Sequence, residues 1–370
     1  MKIEKITLRE ISMQLKQPFE TSFGVTHRRR VVLVELNADG ISGWGEVTAT
    51  EGPYYNSETT DTAWHIICDF LAPAIVGKCF DSAGVLATVM APVRGHEMAK
   101  AALENAAWDA EAHSRNISLR ALLGGTLQRL PSGVSLGIYK DTARLVDRIA
   151  LELAAGYRRI KLKIKPGRDV SVVEAVRRAY PKVALTVDAN SAYTLEDVST
   201  LIQLDEFALD YIEQPLSWNE IYQHTELQSR LLTPICLDEC IHSLRDAQAA
   251  IEMRACGVIN IKLGRVSGHT EARKIEEYCR QKGVPVWCGG MLEAGIGRAH
   301  NIAVSSLPGF VLPGDVSASS RYWDEDIIEP EVTVTSQGTI SVPEGSGIGF
   351  EVKRSLIDKL TVRSREFLPD

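Results

Sequence analysis

From about residue 130 to 315, short apolar runs rich in branched side chains alternate with longer stretches of helical period. Strands are predicted at VSLGIY after Pro131 and at 157–164, 183–188, 209–213, 234–238, 257–262, 284–288 and 309–312. Helices are predicted between them at 142–155, 168–180, 194–204, 218–231, 243–255, 268–282 and 296–305. Strict alternation implies a parallel sheet, and about eight strands imply closure into a barrel.

The flanks follow other periods. ITLREISMQL, RRVVLVELNA and ISGWGEVTA have the composition of antiparallel strands, with Asn37-Ala38-Asp39-Gly40 as a hairpin turn. Residues 57–123 turn helical, most clearly in EMAKAALENAAWDAEAHS, where Ala102, Leu103, Ala106, Ala107 and Ala110 offer a small-residue face. Leu123-Gly124-Gly125 ends this part, since glycine accepts the left-handed conformation of a helix C-cap. Residues 331–353 read as a hairpin with a glycine-rich tail. The expected organisation is an α+β capping domain at 1–125, a (β/α)7β barrel at 126–318 and a C-terminal segment at 319–370 that returns to the cap.

Five charged residues recur at one equivalent point of the repeated unit. Lys163, Asp188, Glu213, Asp238 and Lys262 follow one another at intervals of 25, 25, 25 and 24 residues, each at the end of a β-rich run: RIKLKIK, ALTVDAN, LDYIEQP, ICLDE and VINIKLG. All strands of a parallel barrel end on one face, so these groups converge on a single mouth. Asp188, Glu213 and Asp238 offer oxygen only, and hard oxygen donors favour Mg2+ or Mn2+ over Zn2+. Converging carboxylates repel one another unless a cation or protons neutralise them, although lysines alone can also balance acids at strand ends.

Asn190 follows Asp188 by two residues and shares its side, where it can orient a ligand. Glu239 adjoins Asp238 and should point away from it if the strand continues, which makes it a supporting residue rather than a fourth ligand. Lys161 and Lys163 share one strand face, and Lys262 stands across the ladder. A divalent ion flanked by two lysines suits removal of a proton α to a carboxylate. The ion stabilises the enediolate charge where it develops, and nearby positive charge lowers a lysine's pKa so that it can act as base. Bases on both faces of the carbon permit racemisation, whereas one base that later acts as acid permits syn elimination of water.

A net charge of −7, with Arg28 to Arg30 as the dense basic run, argues against a nucleic-acid partner. No apolar run approaches the roughly 20 residues of a spanning helix. The start, MKIEKITLREISMQL, lacks the hydrophobic core of a secretion signal, so a cytoplasmic protein without a membrane partner is expected. Seven cysteines, odd in number and without a Cys-x-x-Cys pair, read as reduced packing residues.

These residues stand in motifs that resemble the muconate-lactonising subgroup of the enolase superfamily. Within it they resemble the o-succinylbenzoate synthase and N-succinylamino acid racemase (N-acylamino acid racemase) family. The resemblance covers nearly the whole chain: PFETSFG at 18–24, GWGE at 43–46, RIKLKI at 159–164, VDAN at 187–190, IEQP at 212–215, LDE at 237–239, NIKLGR at 260–265, GGMLEAGIGRAHN at 289–301 and GDVSASSRYW at 314–323. It implies a modified TIM barrel with Lys163 as acid/base on one face and Lys262 on the other. Lys262 is then a second base in racemisation and a cationic stabiliser in dehydration. Asp188, Glu213 and Asp238 become Mg2+ ligands, with Mn2+ able to substitute, and Lys161 a carboxylate contact.

The same resemblance matches Phe19, Phe23, Thr50 and Tyr55 to substrate-covering loops, although Phe19 and Phe23 could equally staple the first hairpin. Ser135, Gly290, Met291, Leu292, Glu293 and Ser317 are implied contacts for a succinyl group. Arg265 resembles the members active on succinylamino acids. Ser267, in GRVSG, departs from the glycine that members often carry there. Gly289-Gly290 and Gly295-x-Gly297 could mark a phosphate site, but the resemblance favours a carboxylate. Arg298 is expected to be solvated or salt-bridged, and His27, His96, His242 and His300 to be surface or hydrogen-bonded core residues.

The implied protein is a homo-oligomeric enzyme acting on a small carboxylate. It would dehydrate 2-succinyl-6-hydroxy-2,4-cyclohexadiene-1-carboxylate to o-succinylbenzoate, a menaquinone-synthesis step, and racemise N-succinylamino acids, or be dedicated to the latter. A muconate cycloisomerase or a dipeptide epimerase would share the two lysines. An epimerase would be expected to carry Asp-x-Asp where this chain has Asp315-Val316-Ser317. A non-catalytic barrel that binds a ligand would lack a lysine or a carboxylate of the ladder, and none is missing.

Overall fold

The structure is a computed structural model describing residues 1–22 and 24–369, so Phe23 and Asp370 lie outside the described residues. It begins with a long antiparallel hairpin, β1 (Ile3–Thr21) and β2 (Gly24–Ala38), continued by β3 (Ile41–Val47). The β2–β3 turn places Asp39 at φ 49° and Gly40 at φ 76°, the paired positive angles that match strand twist in a two-residue hairpin. Register slips between Gln14 and Phe19, where residues 15–18 of β1 face only His27 of β2. Such a bulge bends a strand, and here it accompanies a tip that reaches the barrel. Ile138 N donates to Glu20 O at 3.1 Å, and Ser22 Oγ donates to Asn190 O at 3.3 Å.

Against β3 lies the long helix α1 (Glu97–Ser114). Gly43 and Gly45 share one strand face, and a Cβ at Gly45 would stand 1.9 Å from Ala102 O, one at Gly43 2.1 Å from Ala106 O. The small stripe of α1 and the two glycines of GWGE are thus one contact between two backbones.

Seven parallel strands form the barrel: β4 (Gly133–Leu136), β5 (Arg159–Lys163), β6 (Ala184–Asp188), β7 (Ile212–Glu213), β8 (Ile235–Leu237), β9 (Val258–Ile261) and β10 (Val286–Cys288). Helices α2 (Thr142–Ala154), α3 (Val170–Ala179), α4 (Val198–Gln203), α5 (Ile221–Gln228), α6 (Leu244–Glu252) and α7 (His269–Lys282) connect them, and α8 (Gly295–Ser305) follows β10. The strands are buried nearly throughout, as a parallel sheet covered by helices must be.

Two expectations need correction. The eighth strand at 309–312 is reduced to isolated bridges, Val286 with Phe310 and Ser132 with Gly314, and single hydrogen bonds such as Gly133 N to Gly314 O at 2.8 Å close the ring. Pro308-Gly309 and Pro313-Gly314 bracket that segment, and proline cannot donate to a ladder. Residues 331–353 do not pair with themselves as a hairpin. Thr339–Ser341 pairs with Arg129–Pro131, and Ile328–Glu329 with Glu351–Val352. The last strand, β11 (Thr361–Phe367), adds to the edge of β1, giving the sheet order β11-β1-β2-β3.

Buried carboxylates fasten these parts together at helix starts, where backbone N–H groups lack partners. Glu104 on α1 accepts from Thr270 N at 3.1 Å in the first turn of α7, and Glu46 accepts from Ala294 N at 2.9 Å and Gly297 N at 2.7 Å at the start of α8. Glu58 accepts from Met98 N at 2.9 Å at the start of α1, while Asp109 joins Trp44 N at 2.8 Å to Ile348 N at 2.7 Å. Burial pushes the Glu58, Glu104 and Asp109 carboxyls up to about 7 and Glu46 to about 8.

Gly45→Ala should cost about 1–3 kcal/mol or more by overpacking, read as a lowered urea midpoint; an unchanged midpoint would contradict the close approach. The four raised carboxyls keep protons that the unfolded chain releases above a pKa of about 4. Their stabilisation is therefore full below that pKa and lost as pH rises through the folded values. The melting temperature should fall between roughly pH 4.5 and 7.5 and level off above about pH 8, and Asp109→Asn should start lower but decline less steeply; calorimetry showing a rise across that window would count against it.

Candidate active site

The ladder residues meet at the C-terminal mouth of the barrel. β5 carries Lys161 and Lys163, β6 ends on Asp188 and β7 on Glu213, while Asp238 and Lys262 directly follow β8 and β9. Lys163 Nζ donates to Asp188 Oδ2 at 2.6 Å and to Asn190 Oδ1 at 2.6 Å. Lys161 Nζ stands 3.1 Å from Asp188 Oδ2, 2.9 Å from Glu213 Oε2 and 2.7 Å from Asp315 Oδ2. Lys262 Nζ donates to Asp238 Oδ2 at 2.8 Å and lies 4.4 Å over the Tyr55 ring. The other Asp238 oxygen takes the Arg265 guanidinium and, at 3.2 Å, the Tyr55 hydroxyl.

These pairings set the charges. Burial alone would raise Asp188, but Lys163 and Lys161 bring it down to about 2, and Lys262 and Arg265 likewise hold Asp238 below the carboxylate range. Glu213 moves the other way, to about 7, through burial and then the neighbouring Asp188. Burial would lower Lys262, yet the Asp238 carboxylate beside it holds its ammonium above the usual range. The three lysines line one chamber of about 60 Å³, with Phe19, Ser135 and Tyr322 among its walls.

Residues 3–124 match the mandelate racemase / muconate lactonizing enzyme N-terminal domain, and residues 144–356 match the enolase C-terminal domain-like family. The chain belongs to the enolase superfamily. Among its relatives, an o-succinylbenzoate synthase of Geobacillus kaustophilus is 50% identical over 99% of this chain and 97% of its own length. An N-succinylamino acid racemase of Thermus thermophilus is 45% identical over 99% of both. A crystal structure of an enolase-superfamily protein from Listeria innocua superposes with a TM-score of 0.96 at 41% identity, covering 100% of this chain and 99% of that one.

Superfamily members generally use Mg2+. Among the described residues no three His, Cys, Asp or Glu side chains are gathered around one point as metal ligands; the ladder acids turn to lysine and arginine instead. The donor set nevertheless fits such an ion. It consists of oxygens alone, Glu213 is crowded by like charge, and the buried Glu239 Oε2 and Asn260 Oδ1 have no partner among the described residues.

Other superfamily expectations land unevenly. Ser135, Phe19, Gly290, Leu292 and Glu293 border the chamber, and the buried Ser135 and Ser317 hydroxyls lack partners among the described residues. Met291 is buried, and its N–H donates to Glu293 Oε1 at 2.9 Å. Thr50 faces away, onto a separate cavity of about 420 Å³ beside Tyr54. Tyr55 and Arg265 both bond to Asp238 and are not among the chamber walls, and Arg265 is fully buried on the carbonyls of Ile241 and Asn260 at 2.6 Å. Glu239 does not point away from the ladder, because β8 stops at Leu237; its Oε1 accepts from Asn190 Nδ2 at 3.0 Å.

Arg298 is buried and paired with Asp326 at 3.3 Å, so it is salt-bridged but not solvated. Reading the sequence missed Tyr322 and Asn301 at the chamber wall and the role of Asp315 as a partner of Lys161. It also missed the buried pair His269 Nε2 and His300 Nδ1, 2.9 Å apart. Nothing in their spacing signals the pair, since α7 and α8 bring the rings together only after folding.

Ser267 sits at φ 65°, where glycine is unstrained, and its hydroxyl donates to Glu97 at the start of α1. The departure from glycine thus exchanges backbone ease for a bond between barrel and cap. Ser267→Gly should stay within about 1 kcal/mol of the parent, whereas Ser267→Ala, keeping the strain and losing the bond, should lose about 1–2 kcal/mol. Equal urea midpoints for the two variants would refute this.

Proposed function

We propose that the protein is an o-succinylbenzoate synthase that removes water from 2-succinyl-6-hydroxy-2,4-cyclohexadiene-1-carboxylate, and that the same two lysines racemise N-succinylamino acids. The observation that carries this reading is that Lys163 and Lys262 reach one chamber from opposite sides of the carboxylate ladder, on strands separated by β6, β7 and β8. Relatives at 45–50% identity over the full chain bear both names.

In this mechanism the reacting carboxylate lies beside Lys161. Neutral Lys163 takes the α-proton, and Asn190 and Asp188 steady the ammonium that forms. In dehydration that ammonium returns the proton to the departing hydroxyl on the same face, so water leaves syn, while Lys262 faces the developing negative charge. In racemisation Lys262 delivers a proton to the opposite face, and the roles exchange in the reverse direction. Mg2+, held by Asp188, Glu213 and Asp238, would supply positive charge to the substrate carboxylate as the proton leaves. Phe19 and Tyr322 keep bulk water from the chamber. The open hydroxyls of Ser135 and Ser317 support a succinyl partner. Asp315 is already paired with Lys161 at 2.7 Å and Arg159 at 2.8 Å, which speaks against capture of a substrate amino group by a dipeptide epimerase.

Lys163→Ala should lower both dehydration and exchange of the α-proton with solvent deuterium by at least about 10³-fold with an unchanged circular dichroism spectrum. Exchange at the parent rate would remove Lys163 as the base. Lys262→Ala should abolish racemisation. EDTA should silence the enzyme and Mg2+ or Mn2+ restore it; full turnover in metal-free protein would remove the ligand assignment.

A further inference from the structure

The chamber between the lysines, about 60 Å³, has room for a few waters' worth of atoms, far less than a substrate with two carboxylates and a ring or side chain. A second cavity of about 300 Å³ shares Phe19 and Tyr322 with it as common walls. Pro18, Val25, Leu136 and Ile138 make much of its lining apolar, whereas Arg148 and Arg321 give it a cationic end.

Those two guanidiniums share one carboxylate. Arg148 Nε donates to Glu152 Oε1 at 2.7 Å, and Arg321 Nη1 reaches the same oxygen. Arg321 Nη2 donates to Ser135 O at 2.8 Å, but its buried Nε has no partner among the described residues, in a side chain only 10% exposed. Two cations against one anion leave this end positive. Glu20, on the hairpin wall, lies 4.0 Å from Lys165, which opposes its charge.

We propose that this cavity is the subsite for the variable group on the substrate's α-carbon. It takes an aliphatic or aromatic stem between Phe19, Ile138 and Tyr322. It favours an oxygen acceptor or carboxylate at the far end, beside Arg321 and Arg148, and rejects ammonium and guanidinium ends. The inference rests on the racemase half of the proposed function.

The test compares kcat/KM for α-proton exchange by the Mg2+-loaded full chain on N-succinyl derivatives of L-glutamate, L-lysine, L-phenylalanine and L-alanine. The glutamate derivative should exceed the lysine derivative by at least about tenfold, and Arg148→Gln should narrow that ratio. Ile138→Trp, or Val25→Trp at a more exposed wall, should lower the phenylalanine-to-alanine ratio by at least about tenfold. A preference for lysine, or ratios unmoved by both filling variants, overturns the subsite. If the parent exchanges no N-succinylamino acid, the racemase reading fails and calorimetric binding of N-succinyl-L-phenylalanine decides the subsite. About tenfold weaker binding by Val25→Trp supports it, and equal affinity overturns it.

Discussion

Everything at the mouth of this barrel depends on burying lysines and carboxylates together. An unpaired charge taken out of water costs several kcal/mol even after relaxation, so each buried ladder group has to find a partner of opposite sign within its reach. Lys161 faces three carboxylates at once, Lys163 faces Asp188, and Lys262 faces Asp238. The strands that deliver them are short, two residues for β7 and three for β8, and side chains complete the gap between them. Gln214, buried at φ 36°, accepts from Asp238 N at 3.0 Å and donates to Leu216 O at 3.2 Å. The glutamine of IEQP thus orients the next rung of the ladder.

The cap is part of the same charge network. Tyr55, from the loop after β3, bonds to Asp238 and covers Lys262 with its ring. Ser22 at the hairpin tip holds the carbonyl of Asn190, whose side chain holds Lys163. Glu104 and Glu46 tie the cap to the first turns of α7 and α8, the helices next to the segments that carry Lys262 and Glu293. A displacement of the cap would therefore disturb the partners of both lysines before it exposed them to water.

The ladder was legible because period and chemistry coincide: a βα unit of nearly constant length puts one charged residue at each strand end. The helix of small residues was legible for a similar reason, since alanines at i and i+4 announce close packing. What could not be read depends on contacts between distant residues or on where a strand stops. Glu239 was expected to point away from the ladder only if β8 continued past Asp238, and the strand stops at Leu237. The stretch 331–353 was misread as a hairpin because Thr339–Ser341 pairs with Arg129–Pro131, far earlier in the chain, while its own turn at Thr335–Thr339 looks like a hairpin. The partners of Arg265 and Tyr322, and the His269–His300 pair, carry no local pattern. Their neighbours come from other turns of the barrel and from the cap.

Dehydration and racemisation make different demands on the same pair of lysines, and that difference explains why the ladder alone does not choose between them. Syn loss of water needs proton transfer on one face and a stationary cation on the other, whereas racemisation needs transfer on both. A chamber bordered by Lys163 on one side and Lys262 on the other satisfies either demand without rearrangement. Selection must then act on the parts of the substrate that extend beyond about 60 Å³ of reacting space. In the proposed subsite those parts would meet surfaces that differ in kind from the ladder: a cap hairpin bent by its bulge, the backbone after β4, and guanidiniums whose charge exceeds that of their shared glutamate. On that reading the strand ends would set which bond is broken, and the junction between cap and barrel which molecule brings it there.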